Sequence, residues 1–87
     1  MTSFKFTVKD PMGFHARPCS VVVGQAGKYK SSLRLIYKEK EVDLKSILIV
    51  MALAIKFNEE VEIRAEGPDE AEAIAGIEAA LKANKLM

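Results

Sequence analysis

An α+β fold, a two-layer open-faced sandwich with a four-stranded antiparallel sheet covered on one face by three helices, is predicted by three features of this 87-residue chain. Segments near residues 4–8, 33–37 and 61–65 alternate apolar and polar side chains, the period of a half-buried strand. A carboxyl-terminal segment carries the charges and apolar stripe of an amphipathic helix. The elements follow the order βαββαβα, whose hairpins and crossovers leave the helices on one side of the sheet. At this length, residues 1–87 form one domain with a single core.

Each element has a local cause. Phe4, Phe6 and Val8 alternate with Lys5, Thr7 and Lys9, and Asp10-Pro11-Met12-Gly13 breaks the strand. Cys19, Val22, Val23 and Ala26 follow helical spacing, although the run of three valines also suits a strand. Pro18 before them and Gly27 after them favour a helix of about ten residues. Leu33, Leu35 and Tyr37 lead through a short turn at Lys38–Lys40 into Val42, a hairpin in which Glu39 stands where glycine or asparagine is expected. Ser46 is placed to cap a helix running from Ile47 to about Ala54. Val61, Ile63 and Ala65 give the last strand, ended by Gly67-Pro68. In the final helix Asp69 is placed as the cap with Glu72 three residues on. Glu70 and Glu72 suit its first turn, Lys82 and Lys85 its end, and Ala71, Ile74, Ile77 and Leu81 line one face.

Composition narrows the function. Hydrophobic residues make up 49% of the chain, enough for a packed core. No segment has the pattern of a signal peptide, and the longest apolar run, Ile47 to Ile55, is far short of the ~20 residues that span a bilayer. The chain is expected in the cytoplasm, without insertion into a membrane. Cys19 is the single cysteine, so no internal disulfide forms. His15 and Cys19 lie four apart, but two ligands do not make a metal site, and no metal is expected. Ten Lys/Arg precede residue 59 against four Asp/Glu, and residues 59–87 carry three against eight. That asymmetry points to a basic surface near His15, or equally to solvated charges segregated only in sequence.

The most informative segment is Gly13-Phe14-His15-Ala16-Arg17-Pro18, which holds the only histidine. A proline lacks an N–H and has φ near the helical value, so it fits the first turn of a helix. His15 is then at the helix mouth, where unpaired amides and the positive end of the dipole favour an anion. Arg17 adds a forked donor suited to phosphate. Imidazole, with a reference pKa of about 6.5, is a usable nucleophile, and cationic neighbours would favour its neutral form. The spacing fits a histidine that accepts a phosphoryl group. It fits an ordinary capping histidine about as well.

A second constellation begins at Ser46. The segment Ile47-Leu48-Ile49-Val50-Met51 is apolar all round, and a short helix on a sheet buries only part of its circumference. Some of Ile47, Leu48 and Met51 are therefore expected to form an exposed patch for a partner. Ser46 reads either as a cap or as a phosphorylation site whose charge the helix start tolerates while repelling an acidic partner.

With Gly-Phe-His-Ala-Arg-Pro around residue 15 and Val42-Asp43-Leu44-Lys45-Ser46-Ile47 around residue 46, the chain resembles the HPr family. These are the histidine-containing phosphocarriers of the bacterial phosphoenolpyruvate-dependent sugar phosphotransferase system. The resemblance covers essentially the whole chain, including the Asp69-Glu70-Ala71-Glu72 helix start. It implies that His15 is phosphorylated on Nδ1 by phospho-enzyme I and passes the group to sugar-specific enzyme IIA proteins. It implies that Arg17 contacts the phosphoryl group, with the amides of Ala16 and Arg17 nearby. Ser46 matches the serine modified by HPr kinase/phosphorylase in Gram-positive-type members and used in catabolite control. Ile47, Leu48 and Met51 fall on the family's docking surface. The implied protein is a carrier rather than an enzyme, a monomer with transient partners and no cofactor. Cys19 stands where a small residue is common, Ile49 where a small or polar one is, and Glu39 replaces a turn glycine.

Two other readings fit less well. The element order also occurs in RNA-recognition domains, but Glu60, Glu62 and Glu66 beside Val61, Ile63 and Ala65 would repel phosphate, so no nucleic-acid partner is expected. A regulatory relative acting through Ser46 alone would lack the histidine that is present here.

Overall fold

The computed structural model describes residues 1–87. Its elements are β1 (Thr2–Thr7), α1 (Ala16–Ala26), β2 (Ser32–Tyr37), β3 (Lys40–Asp43), α2 (Ile47–Ala52), β4 (Glu60–Glu66) and α3 (Glu70–Ala83). The βαββαβα order and the antiparallel four-stranded sheet are those expected from the sequence. Strand order is β1-β4-β2-β3, with β4 inserted between β1 and β2. Thr2–Thr7 pairs with Ala65–Glu60, and Ser32–Ile36 with Glu66–Glu62.

Alternation decides which face is buried. Phe6, Leu33, Leu35, Val61, Ile63 and Ala65 face the helices, and α1 and α3 cover them with Val22, Ala26, Ala73, Ile74, Ile77 and Leu81. Within α3 the buried stripe begins at Ala73. Ala71, expected on that stripe, is exposed because it lies two residues, and so about 200°, away from Ala73. The opposite sheet face carries Lys5, Arg34, Glu41, Glu62 and Arg64. Glu62 pairs with Arg64 at 3.0 Å, and Glu41 lies 3.3 Å from Arg34 and 3.5 Å from Arg64. The charges that segregate along the chain are thus interleaved in space, because acidic β4 lies between two strands that carry basic residues.

Two caps differ from expectation. Asp69 stands at the N-cap of α3 but makes no capping bond within that helix. Its carboxylate instead accepts from the amides of Lys30 and Ser31, both at 2.9 Å, and from the Ser31 hydroxyl, tying the start of α3 to the α1–β2 connection. These donors hold its pKa below the usual carboxylate range. Ser46 likewise occupies the N-cap of α2 without a side-chain bond, and α2 ends at Ala52, earlier than expected.

The hairpin turn consists of Lys38 and Glu39, both with positive φ (48° and 69°). That is the backbone of a two-residue turn that normally selects glycine or asparagine. Its anchors lie alongside. Lys38 Nζ sits 2.9 Å from Glu59, and the Tyr37 hydroxyl donates to the same carboxylate. Tertiary contacts hold a turn that local preference disfavours.

Candidate functional site

The loop between β1 and α1 is built as a cradle. The Gly13 amide donates to the Asp10 carbonyl, and the Phe14 amide to the Ile55 carbonyl, each at 2.8 Å. Val8 exchanges backbone bonds with the 58–59 segment, donating to the Glu59 carbonyl and accepting from the Asn58 amide. Gly13 has φ 71°, and a Cβ there would lie 2.8 Å from Lys56 Cα. Only glycine allows the two loops to approach this closely. Phe14 is buried against Phe6, ring centroids 6.2 Å apart, which fixes the residue before His15.

His15 follows at the N-cap of α1 with φ −81° and ψ −168°. Its carbonyl accepts from the Cys19 amide at 3.1 Å, the first bond of the helix, while its ring makes no capping bond. The ordinary capping role is therefore not the one the imidazole plays. The ring is about one-third exposed (34%) at the helix mouth, where the amides of Ala16 and Arg17 begin α1. Arg17 is mostly exposed and Pro18 is buried in the first turn, as its spacing predicts.

The positive surroundings expected for His15 include an acidic group in the fold. Asp10, 8% exposed, places Oδ1 at 3.4 Å from His15 Nε2 and Oδ2 at 3.5 Å from Arg17 Nη2. The Met12 amide donates to Oδ1 at 2.9 Å, closing a turn that aims the carboxylate at both side chains. That bond, with His15 and Arg17 nearby, holds the Asp10 pKa below its usual value despite burial. Sequence reasoning passed over Asp10 as a strand breaker. An aspartate opening a turn shortly before a lone histidine was the available signal.

Cys19 lies one turn into α1, fully buried, its thiol donating to the Phe14 carbonyl at 3.3 Å. Burial pushes its pKa up to about 11, which disfavours the reactive thiolate. It fills an apolar helix position, and its burial gives little physical support to oxidation beside His15.

The apolar helix is partly exposed, with one exchange of residues. Leu48 (78%), Ile49 (46%) and Met51 (38%) are open to solvent, while Ile47 is half-buried against the core and Val50 fully buried. Helical geometry turns Ile47 toward the sheet along with Val50, three residues on, and leaves Ile49 outside. Met12 and Phe57, on the two loops that build the His15 cradle, are exposed as well.

Residues 2–83 match the family model described as the PTS HPr component phosphorylation site. Along the full length of both chains, the protein is 43% identical over 88 residues to the phosphocarrier protein HPr of Mycoplasma genitalium. Its fold matches a solved histidine-containing phosphocarrier protein, from work on the divergence of Mycoplasma from Gram-positive bacteria, with TM-score 0.96 and 40% identity over 99% of this chain and 98% of that one. It also matches HPr of Thermoanaerobacter tengcongensis with TM-score 0.90 and 32% identity, over 95% and 93% of the two chains.

Proposed function

The chain belongs to the HPr family of phosphotransferase-system phosphocarriers, and we propose that it accepts a phosphoryl group on Nδ1 of His15 from phospho-enzyme I and passes it to sugar-specific enzyme IIA proteins. The observation that carries this reading is the ring of His15, partly exposed at the head of α1 and not used as a cap, with Arg17 two residues on. In the transfer, the Nδ1 lone pair forms the phosphorus–nitrogen bond as the donor's bond to phosphorus breaks, and the donor atom keeps the electron pair. The phosphoryl oxygens meet the Ala16 and Arg17 amides and the Arg17 guanidinium. Such stabilisation must stay modest, because a carrier that binds its cargo too tightly does not give it up. The protein is a covalent carrier, substrate of one phosphotransferase and donor to another. It works in the cytoplasm as a single-domain monomer.

Docking falls to Leu48 and Met51, with Ile49 beside them and Ile47 supporting the patch from beneath. Ser46, half-buried at the start of α2, is the site for HPr kinase/phosphorylase. Its hydroxyl makes no capping bond, so phosphorylation sacrifices none. The added charge of about −2 sits beside the apolar patch and repels an acidic partner. Ser46→Asp is expected to melt with the wild type and to be phosphorylated on His15 more slowly; equal rates remove the switch. The RNA-binding alternative finds no aromatic ring on the open faces of β2 and β4, which present Ser32, Arg34, Ile36, Glu60, Glu62, Arg64 and Glu66.

The deciding experiment is incubation with phosphoenolpyruvate and enzyme I, followed by mapping of the acid-labile phosphate. Label is expected on His15 and none in His15→Ala; labelling retained in that variant overturns the assignment. Arg17→Ala should accept phosphate and pass it on more slowly.

A further inference from the structure

We propose that Asp10 is a positioning residue for phosphoryl transfer, its carboxylate fixing the hydrogen of His15 on Nε2 and holding the Arg17 guanidinium in readiness. This rests on the carrier reading of His15 and adds a third side chain to that site.

The two oxygens divide the work. Oδ1 faces Nε2 at 3.4 Å and Oδ2 faces Arg17 Nη2 at 3.5 Å. A carboxylate only accepts, so a neutral imidazole gains from this neighbour when its hydrogen is on Nε2. The lone pair is then on Nδ1, the nitrogen that must attack phosphorus. After attack the Nε2 hydrogen stays in place, and the ring's positive charge faces the same carboxylate. No proton has to leave at that nitrogen. Both distances are long for hydrogen bonds, so the carboxylate acts on the two groups chiefly through its charge.

Asp10 can do this because its own position is fixed. It is 8% exposed, its Oδ1 accepts from the Met12 amide, and its carbonyl accepts from the Gly13 amide. The arginine is on the looser end, 64% exposed. A dianionic phosphoryl group arriving at Nδ1 offers Arg17 more charge than one carboxylate oxygen, so the guanidinium can leave Asp10 for the cargo and return when the cargo departs.

The test uses the full chain, ¹⁵N-labelled, as wild type, Asp10→Asn and Asp10→Ala. Asparagine keeps an acceptor for the Met12 amide and so retains the turn, while replacing the oxygen opposite Arg17 with a donor. Long-range ¹H–¹⁵N spectra, taken where the ring is neutral, read which nitrogen of His15 carries hydrogen. Phosphorylation by enzyme I and phosphoenolpyruvate reads kcat/KM. Wild type is expected to hold its hydrogen on Nε2, and Asp10→Ala to show a larger share on Nδ1 with kcat/KM down by about ten-fold, less than in a buried triad because this site is open. Asp10→Asn should keep the wild-type tautomer while transferring more slowly, since only the Arg17 contact is lost. Wild-type tautomer populations and rates in both variants overturn the proposal and leave the carrier function standing. Absence of label on His15 in the wild type overturns the carrier function instead, and the spectra still decide whether Asp10 sets the tautomer.

Discussion

Replacing Gly13 with alanine tests the way the loops are joined beneath His15. At φ 71° an alanine costs about 1–2 kcal/mol relative to glycine. Its Cβ would also lie 2.8 Å from Lys56 Cα and meet the Ile55 carbonyl, and both neighbours are backbone, which cannot rotate aside. Relief requires the 55–56 segment to shift, stretching or breaking the bond from the Phe14 amide to that carbonyl, a further cost of about 1–2 kcal/mol. Together these come to about 3 kcal/mol, or a fall in Tm of about 15–20 °C for a domain of this size. Thermal melting followed by circular dichroism measures it. Gly24→Ala is the control, since that exposed helical glycine has nothing within 4 Å of the added Cβ and should leave Tm unchanged or raise it. A Gly13→Ala protein melting within about 3 °C of wild type would refute the reasoning.

Three other outcomes follow from side-chain environments. Glu59 and Glu70 both titrate at about 2 rather than 4.5, Glu59 chiefly through the Tyr37 hydroxyl and Glu70 chiefly through the Thr2 hydroxyl. Their contribution to stability is present above pH 4.5 and is lost as the pH falls toward 2, because the unfolded chain takes up protons first. Urea midpoints should therefore drop across that window and drop less in Glu59→Gln and Glu70→Gln; an equal drop in the variants contradicts the assignment. Cys19 should react with a thiol reagent orders of magnitude more slowly in the native protein than in denaturant, and prompt native reaction would show that its helix opens readily. Leu48→Asp should melt with the wild type while being phosphorylated more slowly by enzyme I, and an unchanged rate would take Leu48 out of the docking patch.

Where an element carries its own instructions, the sequence was a sufficient guide. The alternation of Phe4/Phe6/Val8 and Val61/Ile63/Ala65 marks strands because burial on one face is a local pattern. Pro18 and Gly27 bound α1 for equally local reasons. Most of the failures involve partners distant in sequence. Asp69 and Ser46 have the chemistry of caps, yet Asp69 is drawn to the Lys30–Ser31 amides. Lys38 and Glu39 form a turn against their own preference because Glu59 anchors it. Which of Ile47 and Ile49 faces outward depends on how α2 seats on the sheet. At the site, the His15–Arg17 motif was legible because it is contiguous. Asp10 was not, since its role appears only once a turn brings its carboxylate back toward the histidine.

The placement of β4 bears on how this site comes into existence during synthesis. β1 has β4 as its only neighbour in the sheet, so Thr7 waits for Glu60 and Thr2 for Ala65. The His15 loop waits for Ile55 and Glu59 in the same way. A nascent chain that has emerged through α2 already contains the whole histidine motif, the arginine, Ser46 and the apolar helix, but lacks the 55–59 backbone and the β4 strand that hold the histidine loop and β1. Pairing so distant along the chain is slow to form. Premature chains released by the ribosome should therefore be poor phosphoryl acceptors although every reactive residue is present.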